Sequence, residues 1–152
     1  MKQTQIRDEV VIAAPVDRVW AAIADIEAHG RWHPFATAIR GAHRMGAVRE
    51  CDVRMGRTNG HTVETCTVYR EPAEIRWRID SDSTGFARMV SAWDAGFLLQ
   101  PDGSQRTQVV AESRFTPARL MARLMAPLIR SKFHGAQTRI LAALKSHVER
   151  AA

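Results

Sequence analysis

Apolar and polar residues alternate with a period of two through the middle of the chain and change to helical spacing near both ends. Ile6 to Ala13 alternates, with Ile6, Asp8, Val10 and Ile12 on one side, which predicts a strand. Val16, Val19, Trp20 and Ile23 then recur at helical spacing, so Pro15 to Asp25 reads as an amphipathic helix with proline in its first turn and Trp20 on its inner stripe. A second short helix is expected over about Ile26 to His29, with Gly30 as its stop. Arg31-Trp32-His33-Pro34 reads as a loop, because a residue before proline avoids the helical region.

Six further strand-like segments follow: Thr37–His43, Val48–Met55, Thr62–Tyr69, Glu74–Asp80, Arg88–Gln100 and Thr107–Phe115. Turn chemistry separates them at Asn59-Gly60, Glu71-Pro72, Asp82 to Gly85 and Pro101-Asp102-Gly103. Connections this short imply an antiparallel meander. Thr116-Pro117 reads as the N-cap and first residue of a long helix reaching Arg150, which Pro127 kinks or splits. The expected fold is α+β, with about seven antiparallel strands covered by the C-terminal helix.

A two-residue turn at Asn59-Gly60 pairs Val53 with Cys66 and Cys51 with Val68. One face then collects Cys51, Val53, Met55, Cys66, Val68, Ile75, Trp77, Ile79, Met89, Trp93, Phe97 and Phe115. The opposite face collects Glu50, Asp52, Arg54, Arg76, Arg78, Asp94, Glu112 and Arg114. The apolar face is the inner one, and it also carries Glu64, Ser91 and Ser113.

At 152 residues the chain suits one domain over 1–152, and 45% hydrophobic with 25% charged residues is ordinary globular composition. No apolar run is long enough for a membrane span and no secretory leader is visible, so a cytoplasmic location is expected. Lys and Arg number 22 against 16 Asp and Glu, a net +6. A basic surface attracts nucleic acid, anionic lipid or acidic small molecules. The basic residues are scattered, the densest stretch (Arg119, Arg123, Arg130, Lys132) lies in an otherwise apolar segment, and no zinc-finger or RNA-binding signature occurs, which argues against nucleic acid as the partner. A homodimer is left open. Cys51 and Cys66 are expected to be reduced, on neighbouring strands and near one another.

The segments I-A-A-P-V-D-R-V-W-A-A-I-A-D (Ile12 to Asp25), W-H-P (Trp32 to Pro34), L-L-Q-P-D-G-S-Q-R-T (Leu98 to Thr107) and R-I-L-A-A-L-K-S-H-V-E-R (Arg139 to Arg150) resemble the START/Bet v 1-like superfamily, in particular its bacterial polyketide cyclase/dehydrase-type branch. The resemblance spans essentially the whole chain. It implies a helix-grip fold, a curved seven-stranded sheet holding a long C-terminal helix over an apolar cavity. It also implies a hydrophobic small-molecule ligand such as a lipid, polyketide or quinone, bound by a carrier or sensor. The alternatives are a cyclase/aromatase using a cavity acid or base, and a protein-interaction role as in ribosome-associated or quinone-chaperone relatives.

The residues expected around such a cavity are Trp32, His33, Met55, Glu64, Cys66, Trp77, Met89, Ser91, Trp93, Ser113, Phe115, Met121, Leu124, Met125 and Leu128. Glu64 and His33 are the candidate catalytic groups. Glu64 has two readings: a desolvated acid or base among Met55, Cys66 and Ile79, or, the favoured one, a carboxylate turned to solvent at the mouth. His33 is either a gate that hydrogen-bonds a ligand oxygen or a histidine that caps a short helix or faces water. His29 and His33 are four apart, as zinc ligands are, but Gly30 and Pro34 interrupt the helix, so no metal is expected. No nucleotide-binding glycine motif or nucleophile elbow occurs, so no cofactor is expected. The inward cysteines have no histidine base beside them.

Overall fold

The computed structural model describes residues 2–118 and 120–151. Strand β1 (Thr4–Ile12) leads into helices α1 (Val16–Ala24) and α2 (Ile26–Trp32). Strands β2 (Ala36–Gly41), β3 (Val48–Met55), β4 (Thr58–Arg70), β5 (Glu74–Asp82), β6 (Val90–Pro101) and β7 (Thr107–Pro117) follow, with one 3₁₀ turn at Phe86–Arg88. Helices α3 (Leu120–Leu124) and α4 (Ala126–Arg150) close the chain. All strands belong to one antiparallel sheet in the order β1-β7-β6-β5-β4-β3-β2, a meander whose first strand returns beside its last.

Several local expectations are corrected. Pro15 is the N-cap of α1 and lies just outside the helix. Helix α2 starts after Asp25, which caps it by accepting from the Glu27 and Ala28 amides, and it runs through Gly30, which does not take the positive φ of a helix stop, to Trp32. It ends at His33, whose extended backbone (ψ 123°) is what Pro34 demands. The β3–β4 turn is Gly56-Arg57, not Asn59-Gly60: Met55 pairs with Thr58, and Gly56 takes a φ of +63° that glycine adopts at no steric cost. Cys51 therefore faces Thr62 and Val53 faces Gly60. Cys66 lies four residues further along β4 than that Thr62, so the two free cysteines are on neighbouring strands but are not cross-strand neighbours. A bulge between Cys66 and Val68 sets Cys66 opposite Trp77 and Val68 opposite Arg76, which turns Val68 outward and Tyr69 inward. Tyr69 then meets the buried Trp20 edge-on, with ring centroids 5.4 Å apart. Thr116 and Pro117 end β7 instead of opening a helix. The C-terminal helix is split just before Pro127, which occupies the first turn of α4.

Two apolar clusters fill the concave side. The larger packs α1, α2 and the end of α4 (Leu141, Leu144, Val148) onto the middle of the sheet. The smaller gathers Ile6, Val90, Phe115 and Ile129 with Phe86, Met89, Trp93 and Phe133. The region where the pocket forms draws on side chains of both.

Candidate functional site

Arg49 on β3 and Glu64 on β4 are direct antiparallel partners, so their side chains leave the same face of the sheet together. Arg49 Nε and Nη2 both approach Glu64 Oε2, at 2.7 and 2.6 Å, and the Thr62 hydroxyl donates to Glu64 Oε1 at 2.8 Å. Both charged side chains are about nine-tenths buried. Arg49 Nη1 donates to His43 Nε2 at 3.0 Å, and its guanidinium sits 3.6 Å above the Trp77 ring. His43 Nδ1 is 3.0 Å from the Ala24 carbonyl. A carbonyl only accepts and a guanidinium only donates, so His43 is neutral with its proton on Nδ1.

His29 is fully buried and donates from Nδ1 to the Ile23 carbonyl at 3.0 Å, while its ring stacks between Trp32 and His33. His33 Nδ1 accepts from the Phe35 and Ala36 amides at 3.2 and 3.0 Å. Its proton is therefore on Nε2, which has no partner among the described residues. The His33 imidazole thus caps the turn after α2 with one nitrogen and holds a free N–H donor on the other.

Burial, and after it the nearby Arg49 charge, pushes His33 down to about 3 and His29 well below the ordinary histidine range. The same two causes take His43 down to about 4. Burial raises the Cys51 thiol to about 11 and raises Cys66 as well, so neither is an activated nucleophile.

Arg49, Glu64, Thr62, His29 and His33 border a pocket of about 210 Å³ under the sheet, and His43 backs Arg49 from outside it. Trp77, Ile79, Trp93, Phe97 and Ile140 supply apolar wall, and Ser113 with Gln137 adds a second polar point from β7 and α4, joined by a 2.7 Å hydrogen bond. The indole N–H groups of Trp77 and Trp93 are buried without partners. The exposed side chains of Met55 and Thr84 stand at the lip. Among the described residues no cluster has the makings of a metal site.

Of the expected lining, His33, Met55, Glu64, Trp77, Trp93 and Ser113 border the pocket. Glu64 points inward and is not at a solvent-facing strand end. Trp32 instead packs in the larger cluster and donates its indole N–H to the Ala22 carbonyl at 2.7 Å. Cys66 also belongs to that cluster, and Met89 and Phe115 to the smaller one. Ser91 is exposed because a bulge between Val90 and Ala92 turns it out of the inner face. Met121, Leu124, Met125 and Leu128 are exposed too. Ala122 is the inward residue of α3, and Leu120 and Leu124, two positions either side of it, lie on the opposite helix face.

His43 is legible by neither motif nor spacing, and the contact of Arg49 and Thr62 with Glu64 emerges only from the strand pairing. Arg49 shares the phase of Cys51 and Val53, so strict alternation already places it inside, but an arginine on an inner face runs against the residue-type expectation.

An antiparallel sheet holding a C-terminal helix, with two short helices after the first strand and a pocket beneath, defines a helix-grip protein of the START/Bet v 1 class. Residues 3–149 match the family described as polyketide cyclase / dehydrase and lipid transport, and the chain belongs to that family. A START superfamily protein from Mycobacterium smegmatis is similar in structure, with a TM-score of 0.81 at 15% identity over 97% of this chain and 99% of that one. The Zhui aromatase/cyclase from Streptomyces sp. R1128 is similar with a TM-score of 0.76 at 18% identity, covering 98% and 95%. Norcoclaurine synthase from Thalictrum flavum, in complex with dopamine and hydroxybenzaldehyde, gives 0.76 at 13% identity, covering 99% and 89%. At these identities the likeness is one of fold. No curated protein sequence matches the chain significantly. Among the described residues no helix is long and apolar enough to cross a membrane.

Proposed function

We propose that the pocket binds a compact, largely apolar ring compound carrying at least one oxygen, and that the protein acts as its carrier or sensor. The observation that carries this reading is an apolar pocket of about 210 Å³ bordered by an internally neutralised Arg49–Glu64 pair and by the unpartnered His33 Nε2–H. A dry cavity of about 150 Å³ holds a benzene molecule. The space here therefore suits a substituted ring or a two-ring phenol or quinone better than an extended acyl chain. The neighbouring charges cancel and the histidines are neutral, so a ligand bearing a full charge would have to part the Arg49–Glu64 pair. Burial of apolar ligand surface supplies about 25 cal/mol per Å², and a hydrogen bond from His33 to the ligand oxygen sets its orientation.

The test is a titration with phenols, quinones, flavonoids and fatty acids, followed by fluorescence of Trp77 and Trp93. Binding tighter than about 100 μM, equivalent to about 5.5 kcal/mol, by the ring compounds is the expected result. No binding by any member of the panel overturns the reading.

The inward Glu64 supports a second reading. A carboxylate beside a pocket can accept and return a proton, and the His33 N–H can polarise a carbonyl, which together suffice for an aldol-type ring closure and dehydration. Under this reading Glu64→Gln abolishes turnover of a poly-β-keto substrate and leaves its binding intact.

A further inference from the structure

The outward turn of the residues before and after Pro127 leaves a surface that the pocket does not use. Leu120, Met121, Leu124, Met125 and Leu128 are 69%, 67%, 72%, 37% and 50% exposed. Their spacing makes one aliphatic stripe that continues across the break between α3 and α4, while Ala122 and Ile129 face the sheet. Exposed Arg123 lies beside the stripe in α3, and exposed Arg130 and Lys132 follow it in the first turns of α4. None of these three has an ion-pair partner among the described residues.

The basic excess lies in the C-terminal part of the chain, from the end of β7 through α4, where Arg114 and Lys145 are ion-paired with Asp94 and Glu149 but Arg123, Arg130 and Lys132 have no such partner among the described residues. From Ser113 to Val148 the sequence holds seven Lys or Arg and no Asp or Glu. The remaining residues hold 15 basic against 16 acidic side chains, so the entire +6 excess resides in this segment. A solvated helix of ordinary composition mixes both signs.

We infer that α3 and the first turns of α4 dock on an anionic lipid bilayer. The stripe lies in the interface plane with its Leu and Met side chains below the headgroups, and Arg123, Arg130 and Lys132 meet the lipid phosphates. Charge complementarity selects an acidic surface. The side chains select acyl chains over a protein, because the stripe is wholly aliphatic, whereas protein hot spots are built on Trp, Tyr and Arg. Docking does not depend on what the pocket holds.

The experiment is co-sedimentation of the full chain with phosphatidylcholine vesicles, with and without about one third phosphatidylglycerol. Binding is expected only with the anionic lipid and should be released in about 0.5 M salt. Leu124→Ser should weaken partitioning about tenfold and Arg123→Gln about fivefold, with far-UV circular dichroism unchanged because both side chains are exposed. Equal binding to both vesicle types, or no binding to either, overturns the proposal. So does a Leu124→Ser variant that binds like the parent, or one that converts a dimer in solution to a monomer, which would assign the stripe to a second copy. Binding to poly-glutamate that is as tight as to anionic vesicles would assign the surface to an acidic protein and would likewise overturn it.

Discussion

Two arginines are buried in the sheet, Arg49 on its inner face and Arg76 on its outer face, and each lies across from a glycine. Gly41 pairs with Arg49, and a Cβ there would come within 2.4 Å of the Val48 carbonyl oxygen. Gly96 pairs with Arg76, and a Cβ there would come within 2.4 Å of the Ile75 carbonyl oxygen. In both places the absent Cβ lets the arginine strand approach closely, though only Gly41 also has a positive φ (+119°), and the surroundings differ. Arg76 donates to Asp94 and Glu112 at 2.8 Å each and reaches Glu74 at 3.4 Å, and those carboxylates also meet Arg114, Arg7 and Arg70. Arg49 has one carboxylate, one neutral histidine and the face of Trp77. The outer arginine sits in a redundant network that ties β5, β6 and β7 together. The inner one belongs to a minimal pair beside a pocket, where each partner is indispensable to the other. The outer network can lose one contact and keep its charges paired, whereas the inner pair cannot.

Removing one partner separates the two sites most strongly. Arg49→Met leaves Glu64 buried and unpaired and should cost about 3–5 kcal/mol in urea unfolding, whereas Arg49→Met combined with Glu64→Met should recover most of that loss. Arg76→Met should cost less, about 1–3 kcal/mol, because Arg114 and Arg7 still face its carboxylates. Equal losses at the two positions would erase the distinction.

Acid distinguishes them next. His29, His33 and His43 have folded values below the ordinary 6.5, so the unfolded chain binds protons that the folded chain refuses. Their contribution is complete above pH 6.5 and declines as pH falls toward about 4 for His43 and about 3 for His33. Each adds a slope of about 1.4 kcal/mol per pH unit. On the outer face, burial opposes the shift of Glu74, but its hydrogen bonds to Arg70 and Arg76 hold it below the usual 4.5, so that contribution is lost only as pH falls below 4.5. Melting temperature against pH should therefore begin to fall near pH 6.5, and His43→Gln should flatten that first decline while leaving the second.

A smaller contrast comes from the glycines. Gly41→Ala and Gly96→Ala should each destabilise by about 1–3 kcal/mol through their backbone contacts, Gly41→Ala the more because its φ of +119° strains any side chain. The two should reach the pocket by different routes: Gly41→Ala weakens ring-compound binding by displacing Arg49, and Gly96→Ala by moving the backbone of a residue that itself borders the pocket. The smallest effect is expected at His33→Leu, a loss of about 1 kcal/mol in affinity for an oxygen-bearing ligand and none for a hydrocarbon of the same shape.

The alternation of residues determined the sheet, its inner and outer faces and the order of elements, because a side-chain period of two is a local property of extended backbone. That assignment survived an error of pairing. Moving the turn from Asn59-Gly60 to Gly56-Arg57 changes the partner of Cys51 from Val68 to Thr62, a shift of six residues, and an even shift keeps every side chain on its face. Local alternation could not reveal the bulges that turn Ser91 and Val68 outward, since a bulge arises where two strands of unequal curvature must stay paired. Nor could it reveal that Ala122 and Ile129, rather than Leu124 and Leu128, meet the sheet, because a helix rich in apolar residues on two sides leaves its rotation to be decided by what it packs against. The same holds for the pocket charges. Arg49, His43 and Glu64 come from two strands and the loop between β2 and β3, and only the register of β3 on β4 brings the three together.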